Sequence, residues 1–376
     1  MSKRKRVAFW ALLIFVSVLF AATIKPYLHD RNNNAEVSRA DVSSDESAED
    51  ADSGENPSDE VPLSEQERQI EEAHITVGLK GSEEMIVKQG DPFINPGAFA
   101  IDDRTGPLSI AAERGHVDTG TPGEYHISYT FSVNKVSKTI TRRVIVLPED
   151  EFVADTDGVS VLMYHYVAPS YETETLENKW CISTDSLDAH MKYLSENGCY
   201  FPSIAELRAY IDGEISIPAR SVIVTFDDGG INMFENGLPI LEKYKVPAMQ
   251  FMIGTVGAEE RMRKYASPYL LFESHSYDMH KPENIEKGGH RAIQDMDYSQ
   301  IVQDIRKNRE IVLNNDAFAY PYGVYTDAAC EALTDEGVKC AFTIKPGYVF
   351  PGDDPMTLHR QTIYGYTTFE EFLAML

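Results

Sequence analysis

The chain has 376 residues, which gives room for two or three domains, and its 43% hydrophobic and 25% charged content is ordinary for a globular protein. Its 34 basic and 60 acidic side chains give a formal net charge of −26, which argues against nucleic-acid binding because phosphate contacts need a basic surface. The charge is unevenly spread: residues 1–29 carry +5, residues 30–74 carry −12, and residues 75–376 carry −19. The net charge of −26 therefore reflects the acidic stretch at residues 30–74 as well as the part of the chain that follows it.

Residues 1–29 have the pattern of a signal anchor. A basic cluster at residues 3–6 precedes an uncharged apolar run at residues 7–24. A helix of that length spans roughly 27 Å, close to the thickness of a bilayer's hydrocarbon core. The run is longer than the core of a typical signal peptide, and residues 19–22 (LFAA) make a mediocre cleavage site, so an uncleaved anchor is favoured over a cleaved signal peptide. With the basic end cytoplasmic, we expect the rest of the chain outside the cell, membrane-tethered, or secreted if the segment is cleaved.

The four cysteines, Cys181, Cys199, Cys330 and Cys340, fall in the part expected outside the cytosol, where disulfides can form. Three connectivities are open, with Cys181–Cys199 and Cys330–Cys340 as the local choices. The chain has no C-x-x-C spacing, which disfavours a cysteine zinc site.

Two regions precede the carboxyl-terminal part of the chain. Residues 30–74 are acidic, serine-rich and nearly free of large apolar side chains, which predicts a disordered linker. Residues 75–148 then alternate apolar and polar side chains, as in Tyr125-His-Ile-Ser-Tyr-Thr-Phe-Ser-Val133, and this pattern predicts antiparallel strands in a small β-sandwich. Through Gly90…Pro96-Gly97-Ala98 and Gly123-Glu124-Tyr125, the stretch resembles the immunoglobulin-like domains of bacterial surface proteins. We expect it to act as a spacer rather than as a weak ligand binder.

Residues 149–376 alternate predicted strands with predicted helices. The strands fall at residues 159–164, 221–226, 247–253, 318–321 and 338–344, and the helices at residues 184–197, 298–313, 327–335 and 368–376. Repeated β-α units predict a parallel sheet, rolled into a barrel, whose functional residues lie at the carboxyl ends of the strands.

Two groups of polar residues have the spacing of a metal site. Asp227 and Asp228 directly follow a predicted strand and precede two glycines, which suits a metal ligand and a base but also a helix cap and turn. His275 and His280 cannot share an ion from one helix or one strand, so they must flank a turn, unless they are two structural histidines. Two imidazoles and one carboxylate make a three-ligand catalytic metal site with an open position, and the second carboxylate is then free to accept a proton.

These motifs, in this order, resemble the polysaccharide deacetylase family with the NodB homology domain (carbohydrate esterase family 4). Thr225-Phe-Asp-Asp-Gly229 matches the first motif of that family. His275-Ser276…His280 is similar to its second motif, in the variant found in the branch with the poly-N-acetylglucosamine deacetylases. Phe318-Ala-Tyr-Pro-Tyr-Gly323, at a predicted strand end, is similar to the third motif of the same branch. The resemblance covers roughly residues 158–376.

The resemblance implies a distorted (β/α) barrel and a role for each matched residue. Asp227 is implied as the general base, and Asp228, His275 and His280 as ligands of a divalent metal, usually zinc, with cobalt, nickel or manganese as alternatives. The backbone N–H of Tyr322 matches the oxyanion donor, and His359, after Leu358, matches the catalytic acid. Residues implied or expected to line the substrate site are His165, Tyr320, Pro321 and Arg360. Many relatives carry an arginine before the proline of the third motif; Ala319 and Tyr320 stand there, so Arg360 is a candidate for tuning Asp227.

The predicted function is metal-dependent hydrolysis of N-acetyl groups from an extracellular N-acetylglucosamine polymer, either peptidoglycan or an exported polysaccharide. The alternatives are an O-acetyl esterase of the xylan type and a non-catalytic surface protein that binds glycans. The predicted partners are the glycan and, through residues 1–29, the bacterial cell membrane; no obligate protein partner is evident from the sequence.

Overall fold

The computed structural model describes residues 63–281 and 291–376. The predicted signal anchor, and the predicted linker up to residue 62, lie outside the described residues. Within those two ranges, no helix combines the length and the apolar character needed to cross a membrane.

The region before residue 148 is a sandwich of two β-sheets. One sheet has the order β1-β3-β4 and the other the order β2-β7-β6-β5. The strands are β1 (Ile75–Leu79), β2 (Glu84–Lys88), β3 (Ala98–Asp102), β4 (Gly106–Leu108), β5 (Ile110–Arg114), β6 (Gly123–Val133) and β7 (Val136–Leu147). Strands β2 and β7 pair in parallel, and the other neighbours pair antiparallel. Ile75 and Ala100 of the first sheet share one apolar core with Tyr129 and Val144 of the second.

Strand β6 has the alternation that its sequence predicts. Ile127, Tyr129 and Phe131 are buried, whereas His126 and Ser132 are exposed. The β6–β7 hairpin closes through a two-residue turn at residues 134–135, where Asn134 has a φ of +53°, the backbone sign that such turns require. The prediction of a separate all-β region is confirmed.

The carboxyl-terminal region is built on a seven-stranded, entirely parallel sheet. Its order is β15-β14-β13-β12-β11-β8-β16, and a parallel pair, β9 and β10, lies beside it. The strands are β8 (Ser160–Tyr164), β9 (Tyr166–Ala168), β10 (Cys181–Ser183), β11 (Val222–Phe226), β12 (Ala248–Met252), β13 (Leu270–Ser274), β14 (Ala317–Ala319), β15 (Cys340–Phe342) and β16 (Gln361–Thr362).

The segment at residues 358–362 joins the two edges of this sheet. Leu358 bridges Phe342 of β15, and β16 then pairs with β8. Inward-facing side chains from strands all around the sheet, including Val161, Phe251 and Leu271, form one buried cluster with Leu358. The sheet is therefore curled around an apolar interior, as the predicted barrel requires.

Helices cover the outer face of the sheet. Besides α1 (Glu65–Glu72), which contacts β7 of the sandwich, the described helices are α2 (Thr173–Leu176), α3 (Thr184–Glu196), α4 (Ile204–Ile211), α5 (Leu238–Tyr244), α6 (Ala258–Lys264), α7 (Ala292–Asp295), α8 (Tyr298–Val312), α9 (Asp327–Asp335) and α10 (Phe369–Leu373), with a π-helical turn at Met233–Gly237. Leu162 and Phe226 point outward from the strands and pack with Leu187 of α3 and Leu241 of α5 in a second buried cluster. The alternation of strand residues between the two clusters explains why these strands are apolar throughout.

The structure differs from the sequence prediction at the end of the linker. Residues 65–72 were assigned to a disordered segment, but they form helix α1, so that assignment is wrong for these residues. Ser64 and Glu67 make a reciprocal capping box, and Arg104 pairs with Glu71 at 2.6 Å. An acidic composition therefore does not exclude a helix here, because α1 is stabilised by its capping box and by the ion pair with Arg104 of the sandwich.

Neither of the local disulfide pairings considered for the sequence is formed. Cys181, Cys199, Cys330 and Cys340 are all free thiols, and Cys181 and Cys340 are buried. They behave as small apolar side chains in the barrel region.

The sandwich packs on the barrel through a partly buried polar contact. Lys80, in the loop after β1, donates from Nζ to Asp316 Oδ2 at 2.5 Å and to Asn314 Oδ1 at 2.8 Å. Lys339 donates to the other carboxylate oxygen of Asp316 at 2.6 Å. Gly81 lies so close to the backbone of residues 201–203 that a Cβ there would be 2.7 Å from Ser203 N. The two regions are thus in direct contact on the side of the sheet where β14 begins.

Candidate metal and catalytic site

The residues of all three sequence motifs meet at the carboxyl ends of adjacent parallel strands. Asp227 and Asp228 follow β11, and His275 follows β13, while Tyr322 lies just beyond β14. His165 and Tyr166 follow β8, which neighbours β11. Strand order therefore explains how residues more than a hundred positions apart in sequence form one site.

Asp228, His275 and His280 form a compact set of donor atoms. Asp228 Oδ1 lies 3.4 Å from His275 Nε2 and 3.3 Å from His280 Nε2. All three ligand atoms lie within 4.8 Å of one another. His275 is buried, and Asp228 and His280 are partly buried.

This arrangement fits a divalent metal. Two ligands at about 2.0–2.1 Å from a tetrahedral zinc ion are about 3.3 Å apart, which is the separation found between Asp228 and each imidazole. Asp228 Oδ1 is buried and accepts no hydrogen bond, an expensive state for a carboxylate oxygen unless a cation faces it. One carboxylate and two imidazoles suit zinc and neighbouring transition metals.

The hydrogen bond made by His275 leaves its Nε2 free to bind a metal. His275 Nδ1 lies 2.7 Å from the carbonyl oxygen of Ala319, so Nδ1 carries the proton and Nε2 keeps its lone pair for a ligand. The loop between the histidines is held by Asp304 of helix α8, which accepts from Tyr277 N at 2.6 Å and from Asp278 N at 2.8 Å. Its neighbour one turn on, Asn308, donates to Met252 O and Ser274 Oγ.

Three non-glycine residues around the site have left-handed backbone conformations. They are Asp228 with a φ of +70°, Ser276 with +70° and Tyr322 with +60°. Such conformations are unfavourable for residues with a Cβ, and they persist where the surrounding structure holds them. Each of the three motifs thus contributes one strained turn that aims a side chain into the site.

Asp227 is held by a buried arginine. Arg360 donates from Nη1 to Asp227 Oδ1 and from Nη2 to Asp227 Oδ2, both at 2.7 Å. Arg360 is fully buried, and its Nε donates to Thr343 O at 2.8 Å. This paired geometry fixes the orientation of the carboxylate and leaves two of its lone-pair directions for other partners.

The charges around the two aspartates keep both ionised. Burial alone would raise the pKa of Asp227, but the charge of Arg360 holds it below its ordinary value. Burial likewise opposes ionisation of Asp228, yet the adjacent imidazole of His275 holds the pKa of Asp228 well below its usual range. Burial lowers the pKa of His280 to about 4, so this imidazole is neutral at neutral pH, as a metal ligand must be.

Tyr166 is a site residue that the sequence analysis missed. Its hydroxyl donates to Asp228 Oδ2 at 2.6 Å, leaving Oδ1 turned toward the histidines. Its ring lies against Gly230, where a Cβ would be 2.9 Å from the ring carbons. A glycine at position 230 therefore gives Tyr166 access to Asp228, but a single tyrosine after a predicted strand carries no sequence signal for this role.

His165 also lies near the aspartates. Burial lowers the pKa of its imidazole, and the charges of Asp227 and Asp228 act in the opposite direction. Its buried Nδ1 has no hydrogen-bond partner, and its ring lies 4.5 Å from that of Trp180. The predicted place of His165 beside the site agrees with this position, and its role in substrate binding stays a prediction.

Other predicted site residues have different surroundings. Tyr320 is fully buried in an apolar cluster with Met279 and Ile301, with its hydroxyl 3.5 Å from Cys330 Sγ, and Pro321 is buried next to it. Because Arg360 is enclosed and bonded to Asp227, we assign it to positioning that carboxylate rather than to contacting substrate. Tyr322 does lie in the site, with its ring 4.1 Å from that of His280. Its backbone N–H as the oxyanion donor stays a prediction.

The structure does not bring His359 into contact with these groups. Its half-buried ring lies against Gly347, where a Cβ would be 3.0 Å from His359 Cγ and Nδ1. Among the described residues, no hydrogen bond or ion pair joins His359 to either aspartate or to His275 and His280. The role of catalytic acid for His359 stays a prediction.

Comparison with known families gives two matches. Residues 215–341 match the family model described as polysaccharide deacetylase, which includes both aspartates and both histidines of the site. Residues 77–146 match the model described as the immunoglobulin-like domain of bacterial surface proteins.

Similar proteins include the poly-β-1,6-N-acetyl-D-glucosamine N-deacetylases of two staphylococci. The Staphylococcus aureus (strain MRSA252) protein is 28% identical over 198 residues, which cover 48% of this chain and 67% of that protein. The Staphylococcus epidermidis protein is 26% identical over 198 residues, with the same shares covered.

Solved structures that resemble parts of this chain include the following two proteins. The Streptococcus pyogenes deacetylase PplD in complex with acetate has a TM-score of 0.49 and 22% identity, and the match covers 58% of this chain and 97% of that one. IcaB from Ammonifex degensii has a TM-score of 0.47 and 26% identity, and the match covers 58% of this chain and 95% of that one. On the two family matches, the chain contains a polysaccharide deacetylase domain that includes residues 215–341, preceded by an immunoglobulin-like domain of the bacterial surface type at residues 77–146.

Proposed function

We propose that this chain hydrolyses N-acetyl groups on a polysaccharide that contains N-acetylglucosamine, with a divalent metal held by Asp228, His275 and His280. The observation that carries the proposal is an ionised, arginine-bound Asp227 directly beside a complete set of three metal-ligand atoms. A protein that only bound glycans would have no use for a buried base next to such a set. The named activity of the staphylococcal relatives, poly-β-1,6-N-acetyl-D-glucosamine N-deacetylase, supports this choice of substrate class.

Asp227 is suited to move the proton of the attacking water. Its carboxylate is charged at neutral pH, and Arg360 occupies one lone-pair direction on each oxygen while leaving others for water. As water adds to the acetamide carbonyl carbon, Asp227 takes its proton. A carboxyl group of lowered pKa is a strong acid once protonated, so Asp227 can also return that proton to the leaving nitrogen as the C–N bond breaks. The products are acetate and the free amine, and His359 is the alternative proton donor.

The metal would complete this chemistry. When bound, a divalent ion of the zinc type polarises the carbonyl and lowers the pKa of water toward about 7. The residues Asp228, His275 and His280 supply one anionic and two neutral ligands, which leaves a net positive charge on the site. The proposed metal is zinc, with cobalt, nickel and manganese as alternatives.

The oxyanion that forms during attack needs a donor. We propose the backbone N–H of Tyr322, because this residue has a left-handed conformation at the end of β14 and its ring packs against His280. A donor held in this way would need no rearrangement during the reaction.

We propose, from the sequence alone, that residues 7–24 anchor the chain in the bacterial cell membrane with residues 1–6 in the cytoplasm. The acidic stretch after residue 29 and the immunoglobulin-like domain would then hold the deacetylase domain away from the membrane surface. A protease-accessibility experiment on intact cells, with a tag at each end of the chain, tests this topology: protection of the carboxyl-terminal tag would contradict it.

The substrate class is tested by measuring acetate release from three acetylated glycans. These are β-1,6-linked N-acetylglucosamine oligomers, peptidoglycan, and O-acetylated xylan. Acetate from either of the first two supports an N-deacetylase and tells the polymers apart. Acetate from xylan alone would replace the proposal with an O-acetyl esterase, and no acetate from any of them in the zinc-loaded protein would contradict it.

A further inference from the structure

A line of aromatic rings leads from the catalytic aspartates to the protein surface. The ring centroids of His165 and Trp180 are 4.5 Å apart, and those of Trp180 and Tyr364 are 5.2 Å apart. Tyr364 then stacks on Tyr366 at 5.2 Å, with an angle of 13° between the ring planes. His165 lies close enough to Asp227 to feel its charge, whereas Tyr366 is 68% exposed. The rings thus extend without a gap from the site to solvent.

Backbone contacts fix the two segments that carry these rings. Gly365 N donates to Lys179 O at 2.8 Å, and a Cβ on Gly365 would be only 2.2 Å from Cys181 O. A turn closed by Tyr364 N to Thr367 Oγ1 at 2.9 Å holds the second segment. A glycine at position 365 is therefore needed for this close approach, and the aromatic surface exists before any ligand binds.

The ammonium group of Lys179 lies over two of these rings. Lys179 Nζ lies 4.8 Å from the ring centroid of Trp180 and 5.6 Å from that of Tyr364. A positive charge over the face of a Trp or Tyr ring is attracted by its quadrupole. Large exposed aromatic rings that are rigidly held and continuous with a catalytic site are suited to bind substrate, not to fill a core.

We propose that Trp180, Tyr364 and Tyr366 form a binding surface for sugar units that neighbour the unit being deacetylated. This proposal rests on the proposed deacetylase function and extends it to substrate length. The C–H groups on the faces of a pyranose ring carry a small positive charge, and they pack well on the negative faces of aromatic rings. Because the surface starts beside Asp227 and ends in solvent, it can hold a glycan chain but offers little to a single sugar. The enzyme should therefore act on chains in preference to short fragments.

The test compares β-1,6-linked N-acetylglucosamine oligomers of two and six units in wild type and Tyr366→Ala. Tyr366 is exposed, so its removal leaves the core intact. We expect the ratio of kcat/KM for the hexamer to that for the dimer to fall about fivefold, since stacked aromatic contacts are worth on the order of 1 kcal/mol. The matched control is Tyr298→Ala, a half-exposed tyrosine on α8 that hydrogen-bonds Asp335 and belongs to neither site. Its ratio should equal that of the wild type.

A binding measurement separates this proposal from the proposed function. In an Asp227→Asn background, the dissociation constant of the hexamer is measured by calorimetry with and without Tyr366→Ala and, separately, Trp180→Ala. Weaker hexamer binding in both aromatic variants supports the proposal. Unchanged binding together with an unchanged kcat/KM ratio overturns it. A wild type that releases no acetate from either oligomer excludes the β-1,6-linked glycan as the substrate in the proposed function, and the binding comparison then decides the aromatic surface by itself.

Discussion

Arg360 donates one hydrogen bond to each carboxylate oxygen of Asp227, both at 2.7 Å, and both side chains are buried. The two residues are far apart in sequence. They meet because Arg360 lies between Leu358, which bridges Phe342 of β15, and strand β16, which pairs with β8. A buried carboxylate without a counter-ion would take up a proton and could not act as a base. The arginine therefore keeps the proposed base both charged and correctly oriented.

Replacing Arg360 with lysine should shift the acid limb of the pH–rate profile upward. Lysine keeps a positive charge but cannot make the paired contact, so the pKa of Asp227 rises and its charged form is lost at a higher pH than in wild type. We expect kcat/KM at neutral pH to fall at least about tenfold. The measurement is acetate release as a function of pH.

Arg309→Lys is the matched control for this substitution, because Arg309 pairs with Glu336 on the partly exposed side of α8. Its pH profile should overlie that of wild type. A profile of Arg360→Lys with an unshifted acid limb would show that Arg360 does not set the protonation of Asp227.

Tyr166→Phe should weaken metal binding. The tyrosine hydroxyl donates to Asp228 Oδ2 at 2.6 Å, and hydrogen bonds of this kind orient a metal ligand. We expect the zinc dissociation constant to rise about 10–100-fold, measured by competition with a chromogenic chelator. Tyr244→Phe, which loses a comparable hydrogen bond to Asp188 far from the motif residues, should leave zinc affinity unchanged. Equal zinc affinity in Tyr166→Phe and wild type would contradict the role given to Tyr166.

The folded state should lose stability as the pH falls because His190 is buried as a neutral imidazole. Burial lowers the pKa of His190 from 6.5 to about 4, and its ring stacks on Phe372 at 3.8 Å. Between these two pH values the unfolded chain binds a proton that the folded chain does not, so stability falls as the pH falls. The wild type should lose about 3 kcal/mol more than His190→Phe over this range in denaturant titrations. Parallel stability curves for the two proteins would be inconsistent with this cause.

Lys80→Met should destabilise the contact between the sandwich and the barrel. Lys80 faces Asp316, and the nearby Glu273 is fully buried, with its pKa raised by burial and by the charge of Asp316. Removing Lys80 leaves Asp316 with Lys339 as its one cation among the described residues, next to the buried carboxyl group of Glu273, and we expect this change to cost about 2 kcal/mol of unfolding free energy at neutral pH.

A matched control for this variant is Lys88→Met, because Lys88 pairs at 3.0 Å with Glu149, which is 78% exposed. An exposed pair of this kind should contribute less than about 1 kcal/mol. If urea denaturation gives the same loss of stability for both variants, the interdomain contact is not the stabilising feature described above.

Much of the site could be predicted from sequence because its residues directly follow buried strands. Asp227 and Asp228 come after five apolar or small residues that predict a buried strand, and parallel strands bring their carboxyl ends together. The spacing of His275 and His280 excluded a shared helix or strand face, and the structure indeed places them on either side of a loop. Local sequence, together with the family resemblance, thus carried enough information to propose the three candidate metal ligands whose donor atoms the structure brings within 4.8 Å of one another.

The partners of these residues could not be predicted, because long-range pairing decides them. Strand β13, which directly precedes His275, is not predicted from the sequence, since Glu273 within it interrupts the apolar run. That glutamate is buried and accepts from Ala317 N at 3.1 Å. The backbone strain at Ser276 and the docking of Gly365 on Cys181 likewise depend on contacts between distant segments. One of these contacts does have a sequence signal. Asp304 and Asn308 are polar residues one turn apart on the apolar face of α8, and such a pair predicts buried hydrogen bonds.

The most direct test of the proposed mechanism is the initial rate of acetate release from an N-acetylglucosamine hexamer. It is measured for wild type as purified, after chelator treatment, and after zinc is added back, and for zinc-loaded Asp227→Asn. We expect chelation to abolish the rate, zinc to restore it, and Asp227→Asn to lose at least about a hundredfold while binding zinc as wild type does. Acetate release that persists after complete metal removal, or that is retained in Asp227→Asn, would contradict the account.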